Sequence, residues 1–122
     1  MEWQFRSDSP IYTQLTQRLT QAIIAGEFQP GERLPSVRDL AVEAGVNPNT
    51  VQRALSELER DGLVFSQRTA GRFVTENENM ITNAKLRLAD ERVEEFLRSM
   101  KTLGCSKEEV IALIARAKEE EK

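Results

Sequence analysis

Apolar residues recur at every third or fourth position in three stretches of the first 62 residues, a spacing that places them on one face of a helix. The pattern predicts helices over residues 10–25, 37–44 and 49–61. A serine precedes each of the first two stretches (Ser9 and Ser36), and a serine side chain can accept hydrogen bonds from the free amides at a helix start. The first half of the chain is therefore predicted to be mainly helical.

The second and third predicted helices are joined by a very short turn. The second helix ends at Gly45, since glycine commonly terminates helices. Only Val46, Asn47 and Pro48 separate it from the third helix. Two helices joined this tightly are typical of a helix-turn-helix, whose second helix enters the major groove of DNA.

A β-hairpin is predicted directly after the third helix. Residues 63–66 and 72–75 have strand character, and the segment 67–71 between them is polar and ends in glycine. The order helix, helix, helix, hairpin is that of a winged helix-turn-helix, in which the hairpin forms the wing. The predicted fold class is mainly α with a small β-hairpin, and the winged DNA-binding domain covers residues 1–76.

Two segments outside these elements are also predicted to be ordered. Trp3 and Phe5 alternate with polar residues, which predicts either a short half-buried strand or an anchored arm before the first helix. The segment 27–35 contains two prolines and a glycine, which predicts an ordered connector without regular structure.

A two-helix tail is predicted over residues 77–122. A long amphipathic helix runs to Gly104, and Ser106 with Glu109 forms a capping box for a last helix. Two such helices cannot bury both apolar stripes between themselves, so we predict a dimerisation tail, with folding back onto the winged domain as the alternative. The predicted interface residues are Val93, Phe96, Leu97, Met100, Leu103, Val110, Ile111 and Ile114.

Composition excludes several kinds of chemistry. The 122 residues include one cysteine, Cys105, and no histidine, which excludes an internal disulfide, a Cys/His zinc site and histidine as a general base. No apolar run is long enough for a membrane span and no signal peptide is recognisable, so a cytoplasmic protein without a cofactor is expected. The final glutamates, residues 119–121, are interpreted as a solvated end rather than a metal site. The net charge of −3 does not by itself favour DNA as the partner.

The start of the third helix carries the side chains that best suit DNA recognition. The candidates are Asn47, Pro48, Asn49, Thr50, Gln52 and Arg53. Asparagine and glutamine can pair with adenine, arginine with guanine or phosphate, and threonine with phosphate or a thymine methyl group. The alternative is that the asparagines only cap the helix while the other side chains are solvated.

Further candidate contacts flank this helix. Ser36 and Arg38 lie at the start of the second helix, where a cation gains nothing from the helix dipole and suits an external phosphate. Arg68, Gly71 and Arg72 surround the wing tip, from which an arginine can enter the minor groove. The alternatives are a surface ion pair of Arg38 with Glu32 or Asp39, and a merely solvated turn at the wing.

Residues 8–76 resemble the gluconate-repressor (GntR) family of bacterial regulators. The motifs that carry the resemblance are Pro10-Ile11-Tyr12, Gly26, Pro30-Gly31, Leu34-Pro35-Ser36, Arg38, Leu40-Ala41, Asn49-Thr50-Val51, Leu58-Glu59-Arg60-Asp61-Gly62-Leu63, Gly71 and Phe73-Val74. The resemblance implies a winged helix-turn-helix that binds palindromic operators as a dimer and usually responds to a small metabolite. It also implies DNA contacts at Arg38, Asn49, Thr50, Gln52 and Gly71, with Asn47 and Arg53 as neighbours.

A tail of only two helices is similar to the YtrA subfamily, whose members tend to control transporter operons and to dimerise through the tail. The chain lacks the large ligand-binding domains and the fused aminotransferase domain of other subfamilies, so a small-molecule effector is left open. It also departs from the glycine-rich wing tip of many members, because Thr69 and Ala70 stand there.

The resulting prediction is a homodimeric regulator of double-stranded operator DNA, more often a repressor than an activator, acting on a nearby operon. Two other classes of protein compete with this prediction. A winged helix that binds protein is favoured by the negative net charge and disfavoured by the arginine-containing reading surface. An enzyme finds no support, because the sequence shows no nucleophile paired with a base and no metal cluster.

Overall fold

The computed structural model describes residues 1–118 of the chain. Five helices and two strands lie within them: α1 (Ile11–Ile24), α2 (Val37–Ala44), α3 (Pro48–Arg60), β1 (Val64–Gln67), β2 (Gly71–Val74), α4 (Glu78–Lys101) and α5 (Lys107–Arg116). This order confirms the predicted fold class, a winged helix-turn-helix followed by two further helices. The glutamates at 119–121 lie outside the described residues.

One apolar core holds the winged domain together. The largest fully buried side chains come from all three helices and the hairpin region, and they are Leu15, Leu19, Leu40, Val51, Leu55, Leu58, Leu63 and Val74. Each buried leucine contributes roughly 1.5–3 kcal/mol relative to an exposed one. The periodic pattern thus predicts the core because each helix turns its apolar stripe inward.

Local capping builds the tight turn of the helix-turn-helix. The Ser36 Oγ accepts a hydrogen bond from the Asp39 amide at 3.1 Å, and Gly45 ends α2 in the left-handed conformation with φ +69°. The Asn47 Oδ1 then accepts from the Asn49 amide at 2.7 Å, with Pro48 as the first residue of α3. The turn therefore needs few long-range contacts to form.

The start of α1 differs from the predicted serine cap. The helix begins at Ile11 with Pro10 at the cap position, and no side chain caps it. Instead, the buried Gln14 side chain donates to the carbonyl oxygens of Arg6 (2.8 Å) and Ser9 (2.9 Å) and accepts from the Arg6 amide at 2.7 Å. These hydrogen bonds connect the segment before the helix to α1. The Gln14 side chain therefore fixes the start of α1 in place of the predicted Ser9 cap.

The first ten residues form an anchored arm and no strand, which settles the two predicted alternatives. The rings of Trp3 and Phe5 stack with centroids 6.2 Å apart and pack, half-buried, against the core. The apolar residues of the arm are therefore explained by packing rather than by sheet pairing.

The hairpin has a third backbone partner that the sequence analysis did not predict. β1 and β2 pair antiparallel, with Ser66 opposite Arg72. The connector before α2 lies along β2, since the Leu34 amide donates to the Arg72 carbonyl at 2.8 Å and the Val74 amide to the Glu32 carbonyl at 2.9 Å. Proline and glycine conceal this pairing in the sequence because they are typical of loops.

The chain divides into two compact units, Met1–Leu86 and a second that begins at Arg87. The first unit extends past residue 76 because Ile81 and Ala84, on the first turns of α4, pack with the core. The division of function at residue 76 remains a prediction.

In the second unit, the predicted capping box is confirmed. The Glu109 amide donates to the Ser106 Oγ at 3.2 Å, and the Ser106 amide donates to the Glu109 carboxylate at 3.1 Å. Val110 is buried within the chain at 2% exposure. Five of the other predicted interface residues are exposed, namely Val93, Phe96, Leu103, Ile111 and Ile114, whereas Leu97 and Met100 are half-buried.

Candidate nucleic-acid interface

Helix α3 separates an apolar face from a polar one. Val51, Leu55 and Leu58 are buried, whereas Asn49 and Gln52 are exposed. Neither of these two amide side chains hydrogen-bonds to another described residue. Their donor and acceptor pairs are therefore available to base edges, as direct readout in the major groove requires.

Asn47, Pro48 and Thr50 at the beginning of α3 differ in how far they support the helix itself. The Asn47 Oδ1 caps the helix, as the alternative interpretation expected, which leaves its Nδ2 as a donor on an exposed residue. Thr50 is half-buried, and its amide donates to the Asn47 carbonyl at 3.0 Å. Pro48 is exposed at the first helical position. Among these three residues, Asn47 is the one whose side chain caps α3, and this role does not depend on DNA.

Arg53 is held by an aromatic ring that the sequence analysis did not include. Its guanidinium carbon lies 3.6 Å from the centroid of the Tyr12 ring at the start of α1. A cation over an aromatic face gains electrostatic attraction, and the stacked side chain loses rotational freedom. The signal was present in the Pro10-Ile11-Tyr12 motif, but no spacing rule connects residues 12 and 53.

Arg38 is exposed in the first turn of α2 and has no ion-pair or hydrogen-bond partner among residues 1–118. Neither of the predicted alternatives, an ion pair with Glu32 or with Asp39, is present. Glu32 instead accepts a hydrogen bond from the Gln29 amide at 2.8 Å. Ser36 uses its hydroxyl oxygen as the cap of α2.

The wing tip combines an unusual backbone with an exposed cation. The Arg68 side chain is exposed, and its guanidinium group has no partner within the described part of the chain. The next residue, Thr69, has a positive φ of 63°. Gly71 has φ +104°, and a Cβ atom placed there would lie 3.0 Å from the Nε of Arg33. Arg33, which the sequence analysis missed, therefore brings a second exposed guanidinium to the wing.

Arg72 is placed differently from Arg68. Its Nε donates to the Glu59 carboxylate at 2.7 Å, and the Ser66 hydroxyl donates to the same oxygen at 2.7 Å. These two hydrogen bonds hold the pKa of Glu59 below its usual value, with the larger effect from Ser66 and the next from Arg72. Partial burial acts in the opposite direction but is outweighed. The half-buried Arg72 side chain thus faces α3, and its predicted DNA contact remains a prediction.

Residues 1–118 contain no cluster of three or more cysteine, aspartate or glutamate side chains that could hold a metal ion. Within the same residues, no helix has the length and apolar character needed to cross a membrane.

Comparison with known sequences finds bacterial regulatory proteins, which agrees with a helix-turn-helix that exposes unpaired polar side chains. The family model described as bacterial regulatory proteins, gntR family, matches residues 11–74. The HTH-type transcriptional regulator YhcF of Bacillus subtilis is 41% identical over 91% of this chain and 92% of its own length. The HTH-type transcriptional repressor YtrA of the same species is 37% identical over 75% of this chain and 72% of its own length. These relatives are regulators and not enzymes.

Solved structures extend the likeness to the whole fold. A GntR family transcriptional regulator from Listeria monocytogenes has a TM-score of 0.81 at 34% identity, covering 93% of this chain and all of that one. AraR(DBD), solved in complex with operator ORX1, has a TM-score of 0.57 at 26% identity, covering 62% of this chain and 96% of that one. With the family match and the relatives, the chain belongs to the GntR family of bacterial regulatory proteins and is a YtrA-like transcriptional regulator with a winged helix-turn-helix.

Proposed function

We propose that the protein is a repressor that binds a palindromic operator as a homodimer and thereby controls a neighbouring operon. The start of α3 enters the major groove, where the Asn49 and Gln52 amides meet base edges. Arg38 and Arg68 bind phosphates on either side, which sets the position of the helix on the duplex. The transporter operons implied by the YtrA resemblance are the first candidates for the regulated genes.

The observation that carries this proposal is a set of exposed side chains without protein partners among residues 1–118, on α2, on the start of α3 and at the wing tip. Asn49 and Gln52 present free amides, and Arg38 and Arg68 present free guanidinium groups. An exposed arginine without a carboxylate partner is available to phosphate. The net charge of −3 is compatible with this role, because a protein with a negative net charge can still present individual unpaired arginines, here Arg38 and Arg68, to phosphate.

The apolar residues of the second unit support the homodimer. Leu103 is 73% exposed and Ile114 is 59% exposed, although both are large and apolar. Large apolar side chains left exposed in this number on two neighbouring helices favour an interaction site. Val110 is already buried in the chain, so we assign it to the packing of one protomer and the exposed residues to the contact between protomers.

A dimer also explains how a small domain reaches useful affinity. A two-fold symmetric protein presents the same reading helix to two half-sites, which is why its operator is palindromic. Joining two heads makes the second binding event intramolecular, so affinity rises without any new kind of contact.

The first test is selection of bound sequences from a random DNA pool with the purified protein, followed by affinity measurement at two salt concentrations. A two-fold symmetric consensus and a steep loss of affinity with salt are expected, because each neutralised phosphate contributes about −0.9 to the log–log slope. A pool without enrichment would contradict the proposal and favour a winged helix that binds protein.

A single variant tests the phosphate contact of Arg38. Arg38→Ala should reduce the magnitude of the salt slope by about 0.9 and weaken binding to all sequences alike. Arg60→Ala is the matched control, because Arg60 is exposed at the far end of α3 and pairs with Glu57 at 3.4 Å. Equal slopes for wild type and Arg38→Ala would remove Arg38 from the interface.

A further inference from the structure

A single carboxylate connects the reading helix to both strands of the wing. Glu59 lies in the last turn of α3, and one of its oxygens accepts from the Ser66 hydroxyl of β1 and from the Arg72 Nε of β2, each at 2.7 Å. Ser66 and Arg72 stand directly opposite each other in the hairpin register. We refer to Glu59, Ser66 and Arg72 as the Glu59 clamp.

The Glu59 clamp adds a contact to β1 beyond the buried base of the hairpin. Val64 and Val74 are paired and buried, and they attach the base of the wing to the core. From Phe65 to Thr69 every residue is exposed, and within residues 1–118 the backbone hydrogen bonds of the connector reach β2 and not β1. The Glu59 clamp lies between the buried base and the tip of the hairpin. Its β1 residue, Ser66, is two residues before Arg68 in the chain.

The clamp also restricts Arg72. Hydrogen bonds between charged partners are shorter and roughly twice as strong as those between neutral ones. The Arg72 side chain is 23% exposed and the Glu59 side chain 33% exposed, so the pair is partly shielded from water. Arg68, four residues earlier, has no such partner among residues 1–118.

We propose that the Glu59 clamp positions the wing relative to α3, so that Arg68 and the reading helix engage the same operator together, with Arg72 as a positioning residue and not a DNA contact. The inference rests on the proposed function, since it concerns how that same surface binds operator DNA. It assigns a role to an acidic residue that would otherwise only repel phosphate.

Because Glu59 is negatively charged, its replacement by glutamine changes operator affinity in opposite directions under the two interpretations of Arg72. Glu59→Gln keeps the shape of the side chain but removes the negative charge that holds Arg72. If the clamp positions the wing, operator affinity falls by about two- to tenfold, in the range of coupling between contacting residues. If Arg72 is instead a DNA contact that Glu59 restrains, the same variant strengthens binding and steepens the salt slope, which would overturn the proposal.

Glu57→Gln is the matched control for the loss of one negative charge. Glu57 lies two residues earlier on α3 and pairs with Arg60 rather than with the wing. It should leave affinity unchanged or raise it slightly, because one repulsion of phosphate is removed. A loss of affinity in Glu57→Gln equal to that in Glu59→Gln would assign the effect to general charge and overturn the clamp.

A double-mutant cycle tests positioning separately from stability. In the wild-type background, Arg68→Ala should reduce the salt slope by about 0.9, whereas in the Glu59→Gln background it should have less effect on slope and affinity. Additive losses would overturn the proposal, and so would an Arg68→Ala protein that binds like wild type. Ser66→Ala provides a milder second variant for the same cycle if Glu59→Gln does not fold.

The outcomes also separate this inference from the proposed function. If the wild-type protein selects no operator, the proposed function fails. If the wild-type protein binds its operator while the affinity losses of Glu59→Gln and Arg68→Ala are additive, only the proposal about the Glu59 clamp fails.

Discussion

Thr69 shows at the scale of one residue how the wing departs from the local preferences of its amino acids. Its φ of +63° lies in the left-handed region, which a β-branched residue rarely adopts. The turn around it is closed by the Ala70 amide donating to the Gln67 carbonyl at 3.1 Å. The tip therefore stores backbone strain at Thr69.

Replacing Thr69 with glycine should release this strain. Thr69→Gly is expected to raise the free energy of unfolding by about 1 kcal/mol, because a strained φ costs on the order of 1–3 kcal/mol and glycine loses part of that gain through its greater freedom when unfolded. Urea unfolding measures the change. Ala70→Gly is the control, since Ala70 does not have positive φ and its replacement should not stabilise. A less stable Thr69→Gly protein would show that the strain is compensated elsewhere.

Glu59 gives the winged domain a defined dependence on pH. The hydrogen bonds from Ser66 and then Arg72 lower the pKa of its carboxyl group in the folded state. A lowered folded-state pKa stabilises the protein above the ordinary glutamate value of about 4.3, and this contribution is lost as the pH falls through the folded-state value. The stability difference between wild type and Glu59→Gln should therefore shrink as the pH falls from 7 towards 3.

Denaturant unfolding of both proteins across this pH range checks the prediction. Ser66→Ala should weaken the pH dependence without abolishing it, because the Arg72 hydrogen bond and charge remain. A stability difference that is constant with pH would mean that the folded and unfolded states bind the proton of Glu59 equally.

At the scale of elements, the joint between α2 and α3 depends on Gly45. Its φ is +69°, and a Cβ atom placed there would meet no other atom within 4 Å. The cost of a side chain at this position is therefore a backbone cost alone. The joint sets the angle at which α3 leaves α2 and hence how the reading helix is presented.

Gly45→Ala should accordingly lower the free energy of unfolding by about 1–2 kcal/mol, the cost of placing an L-residue in the left-handed region. Gly45→Asn should lose less, because asparagine tolerates this conformation better than most residues. Thermal unfolding ranks the three proteins. Equal losses for alanine and asparagine would point to a steric clash rather than backbone conformation.

At the scale of the whole molecule, the two proposed associations depend on different forces. Operator binding rests on cations such as Arg38 and Arg68 and should weaken as salt rises. Association of the tails rests on exposed apolar residues such as Leu103 and Ile114, so it should respond little to salt. The two steps can therefore be measured separately.

Ile114→Asp should shift the protein towards monomer, because it places an unpaired charge in the proposed apolar contact between protomers. Leu97→Asp should act in the same direction. Sedimentation at several protein concentrations measures the shift. Ala115→Asp, the same charge on an exposed neighbouring position of α5, is the control and should leave the dimer intact. An unaltered dimer in both test variants would exclude the tail as the interface.

Much of this protein could be predicted from the sequence because the decisive signals are local. The periodicity of apolar residues predicts the helices and the core, and the caps at Ser36, Asn47 and Ser106 act on amides two or three residues away. Gly45 ends α2 through its own left-handed backbone conformation, which does not depend on contacts from elsewhere in the fold. For the same reason the helix-turn-helix, the wing and the two-helix tail were all predicted correctly in order and type.

Only the tertiary structure distinguished residues that look alike in sequence. Arg68 and Arg72 both flank the wing tip, but Arg72 meets Glu59 thirteen residues away while Arg68 stays exposed. Arg53 meets Tyr12 across two helices, and the connector pairs with β2 despite its prolines. Periodicity and caps describe interactions within a few residues, whereas these contacts depend on how separate elements pack. The sequence by itself therefore determined the elements and the kind of protein, and packing between elements decided which cations remain available to DNA.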